Sequence, residues 1–580
     1  MKIVNLYKEL EQLKKDNECP EWLTLEGYTT LKGGYLLEDE TPKAMYRRVA
    51  RAAAKSGKYS DDIKDDFFEI MYESFLGAAS PILMNLGTER GLPISCFGIN
   101  LEDRMEDIMG RGPGELAMMS KNSGGVGIGM DNLRPSGSVI KSGKNGTSDG
   151  VIPFIKVYDS ATLASKQGRV RRGNSSANLN IEHKDWEEFV RMRRPEGDVN
   201  RQALNMHHCT MINDEFMHKV KNGDSEARLK WTELLKTRLE TGEPYVMFND
   251  TVNNNNPQAY KNNGLKVNMT NICSEITLFA DEFHSFICCL SSLNLEKYDE
   301  WKDYKSPRTG YSVPEIATIF LNGVLDEFIN KAANIPYMER TVSSAKKGRA
   351  IGIGVMGWHS YLQRNNIAFE SFRAMQLNNE IHKYIKEESV KASKNLAEER
   401  GEPEWCKSTG MYNSHLLALA PTRSNSIICG DVSASIEPIV SNAYNDITAK
   451  GTFQRRNLKL KKVLSKLGKD TDEVWKSIVK NSGSVQHLEF LTEDQKNVYK
   501  TAYELDQNSI IQQASQRQKY ICQSQSLNLF FPFDVDPRYF NKVHIKAWEL
   551  GVKTLYYCRS TSGIKSDNIN SDEGCNSCEG

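Results

Sequence analysis

The chain has 580 residues, 39% of them hydrophobic and 26% charged, as in a globular protein holding one very large catalytic domain with appendages or about three or four ordinary domains. Its 75 basic and 75 acidic residues cancel, which removes any global electrostatic reason to bind nucleic acid or an anionic membrane but leaves room for a local anion pocket. The charged start MKIVNLYKELEQLKKD lacks the apolar stretch of a secretory signal, and no apolar run approaches the roughly 20 residues of a membrane helix, so a cytoplasmic location is expected.

In chain order, residues 1–78 read as mainly helical. Thr41-Pro42 sets a capping hydroxyl before a proline at the first helical position, which predicts a helix through KAMYRRVARAAA. A second helix is expected over DDIKDDFFEIMYESFLGAA, residues 61–79. From about residue 79 to 300, short apolar runs alternate with glycine-rich turns such as SGGVGIGM and RPSGS and with helical stretches, which predicts an α/β core. VPEIATIFLNGVLDEFINKA and QLNNEIHKYIKEESVKASKNLAEERG have amphipathic helical spacing. RRNLKLKKVLSK, residues 455–466, reads as a solvated basic helix face. The final GIKSDNINSDEGCNSCEG is too polar to fold alone, so a mobile tail is expected.

The chemistry concentrates in sulfur. Asn271-Ile272-Cys273-Ser274-Glu275 alternates an amide, a thiol and a carboxylate, and an extended backbone would aim all three into one cavity. Cys288 follows fifteen residues after Cys273, and Cys96 lies far upstream. Twelve irregularly spaced cysteines do not make a disulfide scaffold, and Cys19, Cys209, Cys406, Cys429 and Cys522 read as buried small hydrophobes. The one C-x-x-C, Cys575 to Cys578, is half of a structural zinc site at most and sits at the chain end, unlike a thioredoxin motif. It reads as a dithiol on an arm. The sixteen residues from Arg559 to Cys575 span roughly 55 Å extended or about 22 Å root-mean-square if flexible. A glutamate beside a thiol suits a general base, and two further thiols can release two electrons by closing a disulfide. Adjacent Cys288 and Cys289 fit disulfide geometry with each other poorly. The residues alone therefore describe a redox enzyme with a dithiol relay.

In this order these motifs, with Tyr556-Tyr557 just ahead of the tail, resemble the large catalytic subunit of class I ribonucleotide reductase from about residue 35 onward. The resemblance implies an N-terminal helical domain (1–78), a ten-stranded α/β barrel with a central finger loop (79–559) and a flexible redox tail (560–580). It makes Cys273 the thiyl-radical residue, Glu275 the acceptor of the 3′-hydroxyl proton and Asn271 a ribose-positioning group. Cys96 and Cys288 become the pair oxidised to a disulfide; Cys288 is chosen because Cys288-Cys289-Leu290-Ser291 matches the family's C-x-L-[SA] pattern, which leaves Cys289 to packing. Cys575 and Cys578 would reduce that disulfide and be recycled by thioredoxin or glutaredoxin. Tyr556 and Tyr557 would receive the radical from a small, metal-containing subunit, so no metal is expected on this chain. Ser80, Ser95, Thr422 and Ser424 match the substrate loops, with Arg423 departing from the small residue common there. Asp103 and Arg134 would hold the ribose and phosphate of a nucleotide effector (dNTP or ATP), and Gln167 and Arg172 would link effector to substrate base. A homodimer is implied. The family's ATP-cone has no counterpart ahead of YLLEDETP, which puts on/off control through that module in doubt. The alternatives are a cobalamin-dependent class II reductase and a non-catalytic nucleotide-binding relative.

Overall fold

Four helices begin the computed structural model, which describes residues 2–122, 124–141, 146–167, 171–195, 197–448 and 451–561. They are α1 (Lys2–Lys15), α2 (Leu25–Lys32), α3 (Pro42–Gly57) and α4 (Asp61–Tyr72). Thr41 caps α3 as expected, its Oγ1 accepting from the N–H of Ala44 at 3.1 Å. The helix buries Met45, Tyr46, Val49, Ala50 and Ala53, a helical-period stripe. The next helix is shorter than its sequence suggests. It stops at Tyr72, Ser74 turns the chain at φ 60°, and Leu76–Ala78 becomes strand β1. That segment pairs with a longer strand (Leu76 opposite Leu293), so sheet hydrogen bonds override local helical pattern.

The helix Val313–Ala332 has the expected limits, but it is buried all round rather than amphipathic. It runs between α3, α4 and the helix Phe372–Arg400. Several of its polar groups find partners: Ser312 and Glu315 form a capping box, Lys391 pairs with Glu315, and Asn322 bonds Asn413. A Cβ on Gly323 would overlap the Ala53 carbonyl oxygen, so the two helices meet backbone to backbone. In the basic segment 455–466 the helix begins only at Leu458, capped by Asn457, and it buries Leu460 and Leu464; Arg455 and Arg456 end a strand instead.

One sheet organises the rest. Parallel strands β2 (Cys96–Asn100), β3 (Gly125–Gly129), β6 (Ser175–Asn180), β7 (His207–Ile212) and β8 (Tyr245–Phe248) form one half. The short strands β4 (Lys166–Gln167) and β5 (Arg171–Arg172) form a separate antiparallel ribbon before β6. Strand β9 (Phe286–Asn294) joins β2 antiparallel and β10 (Ile351–Met356) parallel. Bridges from Ile353 to Leu417 and from Leu419 to Gln525 carry the ring onward. After the hairpin β11 (Ala443–Thr448) and β12 (Gly451–Arg456) and strand β13 (Leu529–Pro532), β14 (Thr554–Leu555) returns antiparallel to β8. Strand β15 (Cys558–Thr561) pairs with β13. The α/β barrel therefore closes as two halves of opposite direction. No helix among the described residues is long and apolar enough to cross a membrane.

The chain between β8 and β9 threads the barrel as a finger. Asn178 on β6 holds its base, accepting from the Thr270 N–H at 3.1 Å and donating to the Thr270 carbonyl at 3.3 Å. From the opposite half, the Ser524 N–H donates to the Glu275 carbonyl at 2.9 Å and Ser526 Oγ to the Cys273 carbonyl at 2.7 Å. Gly127 on β3 lies against the finger, where a Cβ would overlap the Thr270 carbonyl oxygen.

Candidate active site

At the fingertip the backbone is a tight turn, not the extended segment that alternation suggested. The Ser274 N–H donates to the Asn271 carbonyl at 3.2 Å, and Asn271 and Ile276 close the turn through N–H···O=C at 3.3 Å and Ile276 N–H to Asn271 Oδ1 at 3.0 Å. Ser274 takes φ 67°, the left-handed conformation that such a reversal needs. Crossing the barrel within a few residues requires a turn. The convergence expected from an extended strand is reached by other means: Asn271 Nδ2 donates to Cys96 Sγ at 3.3 Å, and the Cys96 thiol donates to Glu275 Oε1 at 3.7 Å.

Cys96 and Cys288 are direct cross-strand partners in the β2–β9 ladder. Opposite residues of an antiparallel pair share one face, with Cα separations that a disulfide accepts. Gln523 Nε2 donates to Cys288 Sγ at 3.4 Å, and burial pushes the Cys288 thiol well above its usual range. Cys289, next along the strand, points to the other face. Glu275 is fully buried; desolvation raises its carboxyl to about 7, against the lowering effect of hydrogen bonds from Asn271, Ser526 and Cys96. Ser526 Oγ lies 3.1 Å from Glu275 Oε2. Gln523, Ser524 and Ser526 escaped the sequence reading. Their signal was the run Gln523-Ser524-Gln525-Ser526, polar on both faces of an extended segment yet buried throughout.

Cys273 faces the tyrosines. Tyr556 Oη donates to Cys273 Sγ at 3.4 Å, and the Tyr556 and Tyr557 rings are 4.3 Å apart at 56°. The pair follows β14 directly, and the Tyr556 N–H bonds the Leu527 carbonyl at 2.9 Å. The buried Arg238 donates to the Tyr556 carbonyl at 3.1 Å, and Arg559 stacks 4.1 Å over the Tyr557 ring.

Ser80 opens the short helix α5 (Ser80–Asn85), its Oγ 2.8 Å from Tyr35 Oη, and Ser95 Oγ is 3.5 Å from Cys96 Sγ. Thr422 precedes the helix Arg423–Ile428 at φ 52°; its hydroxyl does not cap that helix but accepts from the Ser435 N–H at 2.7 Å. Ser424 lies half-buried in the first turn. Asn425 Nδ2 donates to the Gly77 carbonyl at 3.4 Å, which brings this loop beside the Ser80 segment. Asp103 and Arg134 lie together and pair with each other at 2.6 Å. Gln167 and Arg172 stand on β4 and β5, across from each other's neighbours, and their side chains fall outside the described residues, as do Cys575 and Cys578. Of the cysteines assigned to packing, Cys19, Cys209, Cys406 and Cys429 are buried; Cys522 is only partly so, its sulfur accepting from the Leu416 and Leu417 N–H groups at 3.1 and 3.3 Å.

Comparison with known proteins agrees in extent and fold. Residues 21–91 match the family profile described as ribonucleotide reductase, all-alpha domain, and residues 94–230, 224–408 and 403–558 match ribonucleotide reductase, barrel domain. A Frog virus 3 (isolate Goorha) protein is 40% identical over 88% of this chain and 91% of its own length. The ribonucleoside-diphosphate reductase large subunit of Invertebrate iridescent virus 3 is 33% identical over 96% of this chain and 98% of its own. Among solved structures, the Actinobacillus ureae class Id ribonucleotide reductase alpha subunit superposes with a TM-score of 0.85 at 40% identity, covering 93% of this chain and 98% of that one.

Proposed function

The chain belongs to the ribonucleotide reductase large-subunit family, and from that premise we propose that it reduces ribonucleoside diphosphates to their 2′-deoxy forms with Cys273 as the radical residue. The radical of such an enzyme comes from a separate small subunit. One observation carries the assignment of roles: Cys273 Sγ meets Tyr556 Oη at 3.4 Å, while Cys96 and Cys288 stand paired beside the same fingertip.

A radical on Tyr556 takes the hydrogen atom of the Cys273 thiol, and the Cys273 thiyl takes the ribose 3′-hydrogen. Glu275, near neutrality through burial, accepts the 3′-hydroxyl proton. Asn271 orients the ribose, and Cys96 supplies the proton with which the 2′-hydroxyl leaves as water. Cys96 and Cys288 then give up two electrons as they close a disulfide, and Cys273 returns its hydrogen to C3′. In sum, substrate and two thiols yield deoxynucleotide, disulfide and water. Ser80, Ser95, Thr422 and Ser424 form the diphosphate cradle, using hydroxyls and the N–H groups of a helix start. Asp103, Arg134, Gln167 and Arg172 form the effector site; an effector phosphate there competes with Asp103 for Arg134. Cys575 and Cys578 reopen the internal disulfide and are themselves reduced by thioredoxin or glutaredoxin. The working form is a homodimer in the cytoplasm.

The Tyr556–Cys273 contact favours a class I enzyme over a cobalamin-dependent one, which has no use for a tyrosine relay. The test is deoxynucleotide formation from each diphosphate with and without a small subunit. Turnover is expected only with it, and Cys273→Ala is expected to abolish turnover while effector affinity stays unchanged. Product from the chain alone, or from the alanine variant, overturns the reading.

A further inference from the structure

Two tyrosines were assigned to the relay from the sequence; the fold brings a third ring into the same cluster. Tyr245 is the first residue of β8, and the β8–β14 ladder pairs Met247 with Thr554 and Val246 with Leu555. Continuing that register by one step puts Tyr245 opposite Tyr556. Its ring centroid lies 4.6 Å from that of Tyr556 at 48° and 5.0 Å from that of Tyr557 at 84°, separations close to the 4.3 Å within the pair itself. The Tyr245 side chain is fully buried. On its outer side the His207 ring stacks at 6.0 Å and 24°, and the same imidazole meets Tyr557 edge-on at 6.1 Å. His207 is fixed in turn by Glu243 at 2.6 Å, to which Arg193 also donates at 2.8 Å.

We propose that Tyr245 is a redox-active third member of the relay, exchanging the radical with Tyr556 and Tyr557. The step is Tyr557–O• + Tyr245–OH → Tyr557–OH + Tyr245–O•, one electron and one proton moving together, and the same exchange operates with Tyr556. Both sides of the equation are neutral. That matters inside a dry cluster, where a separated phenolate or oxidised phenol cation would carry an unsolvated charge. No oxidant is needed beyond the radical that the small subunit delivers. Three mutually touching phenols make the radical a shared species of the cluster, and Tyr556, whose Oη meets Cys273 Sγ at 3.4 Å, passes it on. The inference rests on the relay reading of the preceding subsection.

The test places 3-aminotyrosine, which oxidises more easily than tyrosine and so traps a radical that reaches it, at position 245 or 556 of the full chain. Each variant is mixed with the radical-bearing small subunit, a ribonucleoside diphosphate and an effector, then frozen for electron paramagnetic resonance. An aminotyrosyl signal is expected at 245, of the same order as that at 556. A signal at 556 with none at 245 overturns the third-member assignment alone; none at either position overturns the relay as well. If the aminotyrosine-245 chain no longer binds effector, 3-fluorotyrosine at 245 perturbs the ring less, and the radical then shows fluorine hyperfine splitting. Its absence there, with the 556 signal intact, again counts against the proposal.

Discussion

Glu275 illustrates how burial, outweighing the hydrogen bonds that oppose it, brings a carboxyl toward the range that the proposed base needs. A carboxyl in water is ionised two or more pH units below neutrality, but the barrel interior removes solvent from Glu275 and lifts it to about 7. Below that value it already holds a proton and cannot accept another. The chemical step is therefore expected to slow by about tenfold for each pH unit below 7 and to level off above it. Single-turnover rates across the range, with radical loading held constant, give the profile; a flat line from about pH 6 to 8 removes Glu275 as the base. Cys288 moves the same way for the same reason. A thiol so buried is a poor free nucleophile, so the proposed pairing rests on the Cys96 sulfur standing opposite it in the ladder.

Among the elements, the finger decides whether these residues meet at all. It is held by backbone bonds to Asn178 on one half-barrel and to Ser524 and Ser526 on the other, and it lies directly on Gly127. Gly127→Ala is expected to lift the Thr270 segment and misplace the fingertip, cutting turnover by about a hundredfold, since a displacement near 1 Å suffices for such a loss. Turnover within twofold of the parent shows that the finger yields without consequence. The contact of Gly323 with Ala53 is different in kind. Gly323→Ala is expected to overpack two helices that carry none of the proposed catalytic residues, lowering stability by about 1–3 kcal/mol. Thermal unfolding measures that cost, while per-molecule activity at low temperature should persist.

Over the whole molecule, two half-barrels of opposite strand direction bring Cys96 from one side and Cys288 from the other into a single ladder. Closing the disulfide proposed for them would link the halves at the seam and leave a covalent record of each turnover inside the core, where both sulfurs are buried. A reductant carried by the protein's own chain answers that difficulty. Cys575→Ser with Cys578→Ser is expected to allow one deoxynucleotide per active site and then stop when thioredoxin is the reductant. Quantifying product per chain checks this, and unimpaired cycling removes the tail from the mechanism.

Residue identity and order pointed to the chemistry: a thiol and carboxylate two apart, two further cysteines and a terminal dithiol offer redox functional groups, and only together, with the adjacent tyrosines, do they resemble one enzyme family. The start of α3 was legible because a cap marked it, at Thr41, and capping is a contact between neighbours in sequence. Where the partner is distant, local pattern misled. Residues 76–78 look helical but pair with β9, and 313–332 looks two-faced but has protein on every side. The fingertip looked extended and is a turn, because its shape is imposed by the two half-barrels that it bridges. Tyr245 carried no local mark of function, and Gln523 and Ser526 only a short polar run; closure of the barrel sets Tyr245 on Tyr556, Gln523 on the Cys288 sulfur and Ser526 on the Cys273 carbonyl, since a long-range contact depends on the whole chain path and on no single segment of it.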